Sequence, residues 1–171
     1  MNTRLAEARS IEERIIRDRR SLHANPELSF QEFATHSYIS SRLNELGIEH
    51  KTIGETGIVA TIGHGKHCVG LRADIDALPI MEETDLDYTS QNAGVMHACG
   101  HDAHTAMLLG AAALLKQKEQ ELQGTVKLIF QPGEEKVPGG ASILIREGVL
   151  ENPHVEAMFG QHVFPEANVG T

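Results

Sequence analysis

Between Met96 and Thr105 the chain carries His97, Cys99, His101, Asp102 and His104, five potential metal donors within eight residues. Thiolate, imidazole and carboxylate together suit zinc or another borderline divalent ion such as manganese, cobalt or nickel, whereas calcium and magnesium prefer all-oxygen shells. Residues two apart lie on nearly opposite sides of a helix, so Cys99 and His101 can share an ion only from an irregular loop, which Gly100 permits. A loop that runs into a helix N-terminus also favours the thiolate that binds metal. Taken singly, a cysteine reads as a small buried hydrophobe and a histidine as a cap or surface residue. Their density here favours ligation.

A second acidic group is Glu134-Glu135, which follows the turn residues Gln131-Pro132-Gly133. Adjacent side chains in extended structure point to opposite sides, so one carboxylate can bind metal while its neighbour carries protons. A bare Glu-Glu pair otherwise reads as solvated surface. Asp74 and Asp76 are spaced by two and share a face, where they repel unless a cation or donors lie nearby. Arg72 shares that face, so a structural ion pair is the rival reading. His162 is the last of the set.

Elements that could position these residues can be read along the chain. Ser10 with Glu13 forms a capping-box pattern opening a helix with Ile11, Ile15 and Leu22, which Asn25-Pro26 stops. Ser29 with Glu32 forms a second such pattern before a helix on which Phe33, Ile39, Leu43 and Leu46 share a face, with Gly47 as its left-handed stop. Strands are predicted over His50–Ile53, Gly57–Ile62 and Cys68–Arg72, separated by turns at Gly54 and Gly63 to Gly65. A long helix is expected from His104 to Leu122, with Met107, Leu108, Ala111, Leu114 and Leu115 on one stripe. Thr125–Phe130 and Val155–Phe159 have the continuous apolar character of strands buried on both faces, with a helix over Ala141–Glu147 between them. That order is a βαβ unit with a right-handed parallel crossover. The fold class is α/β, in one domain. Asp74 and Asp76, Glu134 and Glu135, and His162 each follow a predicted strand, and ligands of open α/β sheets bind beyond the strands' carboxyl ends.

Composition narrows the partners. A net charge of −9 opposes binding to nucleic acid or anionic membrane. Two cysteines make no disulfide framework and suit a reducing compartment. The polar N-terminus has no apolar signal region, and the apolar run Ala106 to Leu115 is about half of what a bilayer requires. A soluble, cytoplasmic protein is the expectation.

The strings RRSLHANPELSFQE, TGIVATI, GLRADIDALPI, MHACGHDAHTAMLLGAAALL, KLIFQPGEE, GGASILIREGVL and GQHV resemble, in order, the aminoacylase and hippurate hydrolase group of co-catalytic metallopeptidases. That group includes N-acetyldiaminopimelate deacetylase and the indole-acetyl-amino-acid hydrolases. The resemblance implies a three-layer α/β/α catalytic domain with a mixed, mostly parallel sheet, as in zinc exopeptidases. It implies two divalent metal ions held by Cys99, His101, Glu135 and His162, with Glu134 as general base and Asp74 or Asp76 in support. His97 and His104 are left to supporting or structural roles. The implied reaction is hydrolysis of the amide bond of a small N-acyl amino acid.

The resemblance covers the N-terminal part of the group's chain. A lid and dimerisation domain, expected to begin near Gly170-Thr171, and the C-terminal part of the catalytic domain have no counterpart here, nor do a late His ligand and a lid His that stabilises the oxyanion. Homodimers are implied for the full-length group. Two classes of function follow: part of a metal-dependent amidohydrolase, or an inactive remnant that binds metal or a partner chain. A third reading, a Cys99-nucleophile hydrolase, leaves Glu134, Glu135 and His162 without a role.

Overall fold

The most deeply placed element is the strand Thr125–Gln131, all seven of whose residues are buried. Its side chains alternate between two apolar layers, the expected outcome for a strand covered on both faces. Val126, Leu128 and Phe130 join one core with Ile58, Ala60, Ile62, Ile39, Leu43, Leu108 and Leu109. Ile129 joins a smaller core on the opposite face with Ile53, Val59, Leu144 and Val149.

The structure is a computed structural model and describes residues 3–168. Gly170 and Thr171, near which a lid is expected to begin, lie outside the described residues. The elements are α1 (Thr3–Ser10), α2 (Glu12–Ala24), α3 (Phe33–Glu45), β1 (His50–Ile53), β2 (Gly57–Ile62), β3 (Cys68–Asp74), α4 (His101–Gln117), a 3-10 turn (Glu119–Glu121), β4 (Thr125–Gln131), α5 (Gly140–Arg146) and β5 (Ala157–Gly160). They form one sheet of order β1-β2-β4-β3-β5. β2 runs antiparallel to β1 and β4, while β3 is parallel to β4 and β5. Four strands therefore share one direction. α3 and α4 cover one face and α5 the other, giving the three-layer α/β/α arrangement. Among the described residues no helix is long and apolar enough to cross a membrane.

Several sequence expectations are corrected. Ser10 does not cap α2: its hydroxyl donates back to the Glu7 carbonyl at 2.6 Å, because Ser10 closes α1. Nor do Ser29 and Glu32 form a capping box. Glu27 accepts the backbone N–H groups of Ala34 and Thr35 at 3.1 and 2.8 Å, which leaves Ser29 and Glu32 for other partners. Phe33 is 54% exposed and does not share the buried face of Ile39 and Leu43. α4 starts and ends earlier than expected, at His101 and Gln117. The last strand spans Ala157–Gly160 and is exposed throughout, because among the described residues it lies at the sheet edge beside β3. β4, α5 and β5 form a parallel crossover unit with β3 lying between the two strands.

Candidate metal centre

The shared direction of β3, β4 and β5 brings their carboxyl ends to one edge of the sheet. Asp74 ends β3 opposite Gln131, which ends β4. Just beyond, Asp76 meets α4. His101 Nδ1 lies 2.9 Å from the Asp76 carbonyl oxygen and 3.3 Å from its Oδ1. A carbonyl can only accept, so the ring proton sits on Nδ1 and the Nε2 lone pair faces the other way. Ser29 donates to Asp76 Oδ2 at 2.6 Å, and the Glu135 backbone N–H reaches the same oxygen at 3.0 Å. Burial pushes the Asp76 carboxyl up, but His101, Ser29 and the backbone N–H groups of Glu135 and Glu134 outweigh it and hold the group at about 2.

His101 Nε2 is the focus of the site. The side chain is 1% exposed, and Nε2 has no hydrogen-bond partner among the described residues. Around it stand Asp74 Oδ2 at 3.6 Å, Glu135 Oε1 at 3.8 Å and Glu134 Oε2 at 3.9 Å. His101 also forms a donor group with Cys99 and His162, its atoms all within 4.8 Å of one another. Cys99 Sγ is 3.4 Å from His162 Nε2. The structure thus brings together Cys99, His101, Glu134, Glu135, His162 and Asp74. An imidazole whose far nitrogen is fixed by a carboxylate residue, and whose near nitrogen is buried and unpaired among acidic groups, is the arrangement a metal-binding histidine takes.

The loop geometry is local. Gly100 caps α4 at φ +86°, and a Cβ there would lie 2.4 Å from Val163 Cγ2. Glycine is thus required both by conformation and by the close approach of the segment after β5. It ends the loop so that Cys99 lies outside the helix and His101 within its first turn. Gly133, at φ +56°, ends β4 in a similar way.

Two expectations about these groups change. The Cys99 thiol is not lowered by the helix N-terminus. Burial, and then the carboxylates of Glu135, Asp74 and Glu134, push it up to about 11. Close negative charge outweighs the partial charge of a helix end, and a bound cation would reverse that balance. Glu134 and Glu135 do not point apart either, since they lie in a turn rather than extended chain. Both face His101, with side-chain exposures of 41% and 22%.

The remaining polar residues form a frame. Asp74 accepts from Arg72 Nη1 and from His104 Nδ1, each at 2.6 Å, so the ion pair raised as the rival reading for Arg72 is present. His104 Nε2 accepts the Val163 N–H at 2.9 Å, tying α4 to the segment after β5. Burial pushes Asp74 up, yet His104, His101 and Arg72 leave it lowered. Asp102 projects away from His101, as neighbours in a helix do, and meets His23 Nδ1 at 2.7 Å and Arg19 Nε at 2.8 Å. His97 is buried, and burial lowers it to about 4. Ser29 and Glu32 were hidden from sequence reasoning by their capping-box spacing. Nothing in the sequence marks the pairing of His23 with Asp102, which are 79 positions apart.

Residues 70–171 match the family model of peptidase family M20/M25/M40. IAA-amino acid hydrolase ILR1-like 4 of Arabidopsis thaliana is 49% identical over 155 residues, covering 89% of this chain and 34% of its own. N-acetyl-L-cysteine deacetylase of Bacillus subtilis (strain 168) is 47% identical over 165 residues, covering 95% of this chain and 39% of its own. The chain thus spans between a third and two-fifths of the length of these curated relatives. Among solved structures, the Bacillus subtilis YXEP protein, a dinuclear metal binding peptidase from the M20 family, superposes with a TM-score of 0.88 at 46% identity over 95% of this chain and 46% of that one. A putative aminohydrolase from methicillin resistant Staphylococcus aureus gives a TM-score of 0.91 at 45% identity over 97% of this chain and 45% of that one.

Proposed function

This chain belongs to peptidase family M20/M25/M40, and from that premise we propose that residues 1–171 form the N-terminal part of the catalytic domain of a metal-dependent amidohydrolase acting on small N-acyl amino acids. The hydrolase and deacetylase names of its relatives support the reaction class. The observation that carries the reading is the buried, unpaired His101 Nε2 among a thiol, a second imidazole and three carboxylates.

Cys99, His101, Glu135 and His162 are the proposed ligands of two divalent ions, drawn from zinc, manganese, cobalt and nickel. When bound, such ions supply Lewis acidity to an amide carbonyl and to water. The chain's own residues do the rest. Asp76 and Ser29 fix the ring of His101, and Asp74 sits on its other side. Glu134 is the more exposed carboxylate and faces the open side, where it takes a proton from the attacking water. As the C–N bond breaks, the same carboxyl group returns that proton to the leaving nitrogen. Cys99 is proposed as a ligand and not as the nucleophile, a role that would leave Glu134, Glu135 and His162 without work to do. Both cysteines are free and suit a reducing compartment such as the cytoplasm.

The test is metal analysis together with hydrolysis of hippurate and N-acetyl-methionine. Bound metal with turnover supports the reading. Metal without turnover supports the inactive remnant, and absence of metal uptake refutes the centre.

A further inference from the structure

The segment between α2 and α3 reaches the Glu134-Glu135 turn directly through Glu32 and Phe30, and through Asp76 by way of Ser29. Glu32 is completely buried, and each carboxyl oxygen has one partner: Oε1 accepts the Gly133 N–H at 2.8 Å and Oε2 accepts the Thr56 hydroxyl at 2.6 Å. Phe30 adopts φ +64°, a strained conformation for a bulky residue, and its ring lies against Gly133. A Cβ on Gly133 would come within 2.3 Å of Phe30 Cε1. Ser29 donates to Asp76 Oδ2, the oxygen that also receives the Glu135 N–H. Glu27 frees Ser29 and Glu32 for this work by accepting the first N–H groups of α3 itself.

A carboxyl group is expensive to bury, and a left-handed phenylalanine is expensive to hold. Both costs fall on one glycine, the residue from which the two site carboxylates depart. An apolar side chain at position 32 would leave the buried Gly133 N–H and Thr56 hydroxyl without this acceptor. The hydrogen bond from the Gly133 N–H fixes the plane of the Pro132–Gly133 peptide, from which the chain turns into Glu134.

We propose that Glu32 is a positioning residue: by holding the Gly133 N–H it sets the direction in which Glu134 and Glu135 leave β4, so that both carboxylates reach His101 Nε2. This inference rests on the metal-centre reading. Glu32 touches no reacting atom. Its effect passes through the turn.

The experiment uses the whole protein, purified metal-free, as wild type, Glu32→Gln and Glu32→Ala. Gln can still accept the Gly133 N–H, and the Thr56 hydroxyl can rotate to accept from the new amide. Hydrogen exchange is followed at residues 133–135 and, as an internal reference, at residues 126–130. Mn2+ affinity is measured by calorimetric titration. In Glu32→Ala, exchange at 133–135 is expected to rise about tenfold from loss of the hydrogen bond that protects the turn, with Mn2+ affinity falling about 10–100-fold and residues 126–130 unchanged. Glu32→Gln should stay near wild type in both. If Glu32→Ala does not fold, Glu32→Asp, one methylene shorter, is expected to give the same pattern. Unchanged exchange at 133–135 would overturn the inference, as would a loosened turn with wild-type affinity or a loss in Glu32→Gln equal to that in Glu32→Ala. A wild-type protein that takes up no Mn2+ refutes the metal-centre reading instead, and exchange at 133–135 alone then decides whether Glu32 holds the turn.

Discussion

The two ends of the candidate metal centre are built differently. At the closed end, His101, Asp74 and Asp76 are 1% exposed and held from several directions by Ser29, Arg72, His104 and the Glu135 backbone. At the open end, His162 is exposed and follows an edge strand whose four residues are all exposed. Among the described residues its Nδ1 bonds the adjacent Val163 carbonyl, at 2.7 Å. The closed end gains its order from central strands with neighbours on both sides. The open end borrows order from the Val163 bond to His104 and from the contact at Gly100. The orientation of His101 is therefore fixed by several buried partners, while His162 is held by an adjacent backbone carbonyl and its approach to Cys99.

The largest effect expected concerns Glu134, the proposed proton carrier. Glu134→Gln should lower turnover of an N-acyl amino acid by about 10²–10⁴-fold while leaving metal content intact. Loss of metal along with activity would show Glu134 to be a ligand instead. Next comes the contrast between imidazoles, measured as metal affinity. Replacing His101 by Ala should cost at least about 100-fold and replacing His162 by Ala about tenfold, since the pre-oriented ligand contributes more. Equal losses would break the comparison.

A smaller effect tests the link between the ends. Gly100→Ala forces a φ of +86° on a residue with a Cβ and drives that carbon into Val163. A loss of about 1–3 kcal/mol in stability is expected, read as a lower Tm. An unchanged Tm would mean that the segment after β5 yields freely and that the two ends are uncoupled.

Much of the closed end was legible in the sequence. The bounds of β1 and β2 follow from β-rich runs closed by glycines. The donors near α4 stood out by type, and the strand-end positions of Asp74, Asp76, Glu134, Glu135 and His162 pointed to one cleft. The brace was not legible, because Ser29 and Glu32 have the spacing of a helix cap and only the placement of Glu27 frees them. The exposure of β5 was hidden for another reason: an apolar run of this length reads alike in a central strand and in an edge strand. The raised Cys99 thiol depends on burial and then on carboxylates from separate segments, which local sequence cannot bring together.

The smallest expected effect is a pH dependence outside the centre. Burial pushes Glu82 up, but Thr84, the Ser90 N–H and His23 hold it at about 2. A lowered carboxyl group contributes stability that is complete above its ordinary value near 4.5 and is lost as pH falls towards 2. Tm should therefore fall over that window, and Glu82→Gln should flatten the fall. His23 has the opposite sign: its Asp102 bond raises it against the effect of burial, so its contribution is complete below 6.5 and fades as pH rises through the raised value. A Tm profile indifferent to Glu82→Gln would remove this frame from the account.

The most direct measurement of the central claim is X-ray absorption at the metal edge of the zinc-loaded protein, compared with Cys99→Ser. The account predicts a sulfur neighbour at about 2.3 Å in the wild type, with nitrogen and oxygen neighbours near 2.0–2.2 Å, and loss of the sulfur alone in the variant. A first shell of nitrogen and oxygen with no sulfur in the wild-type protein would contradict it.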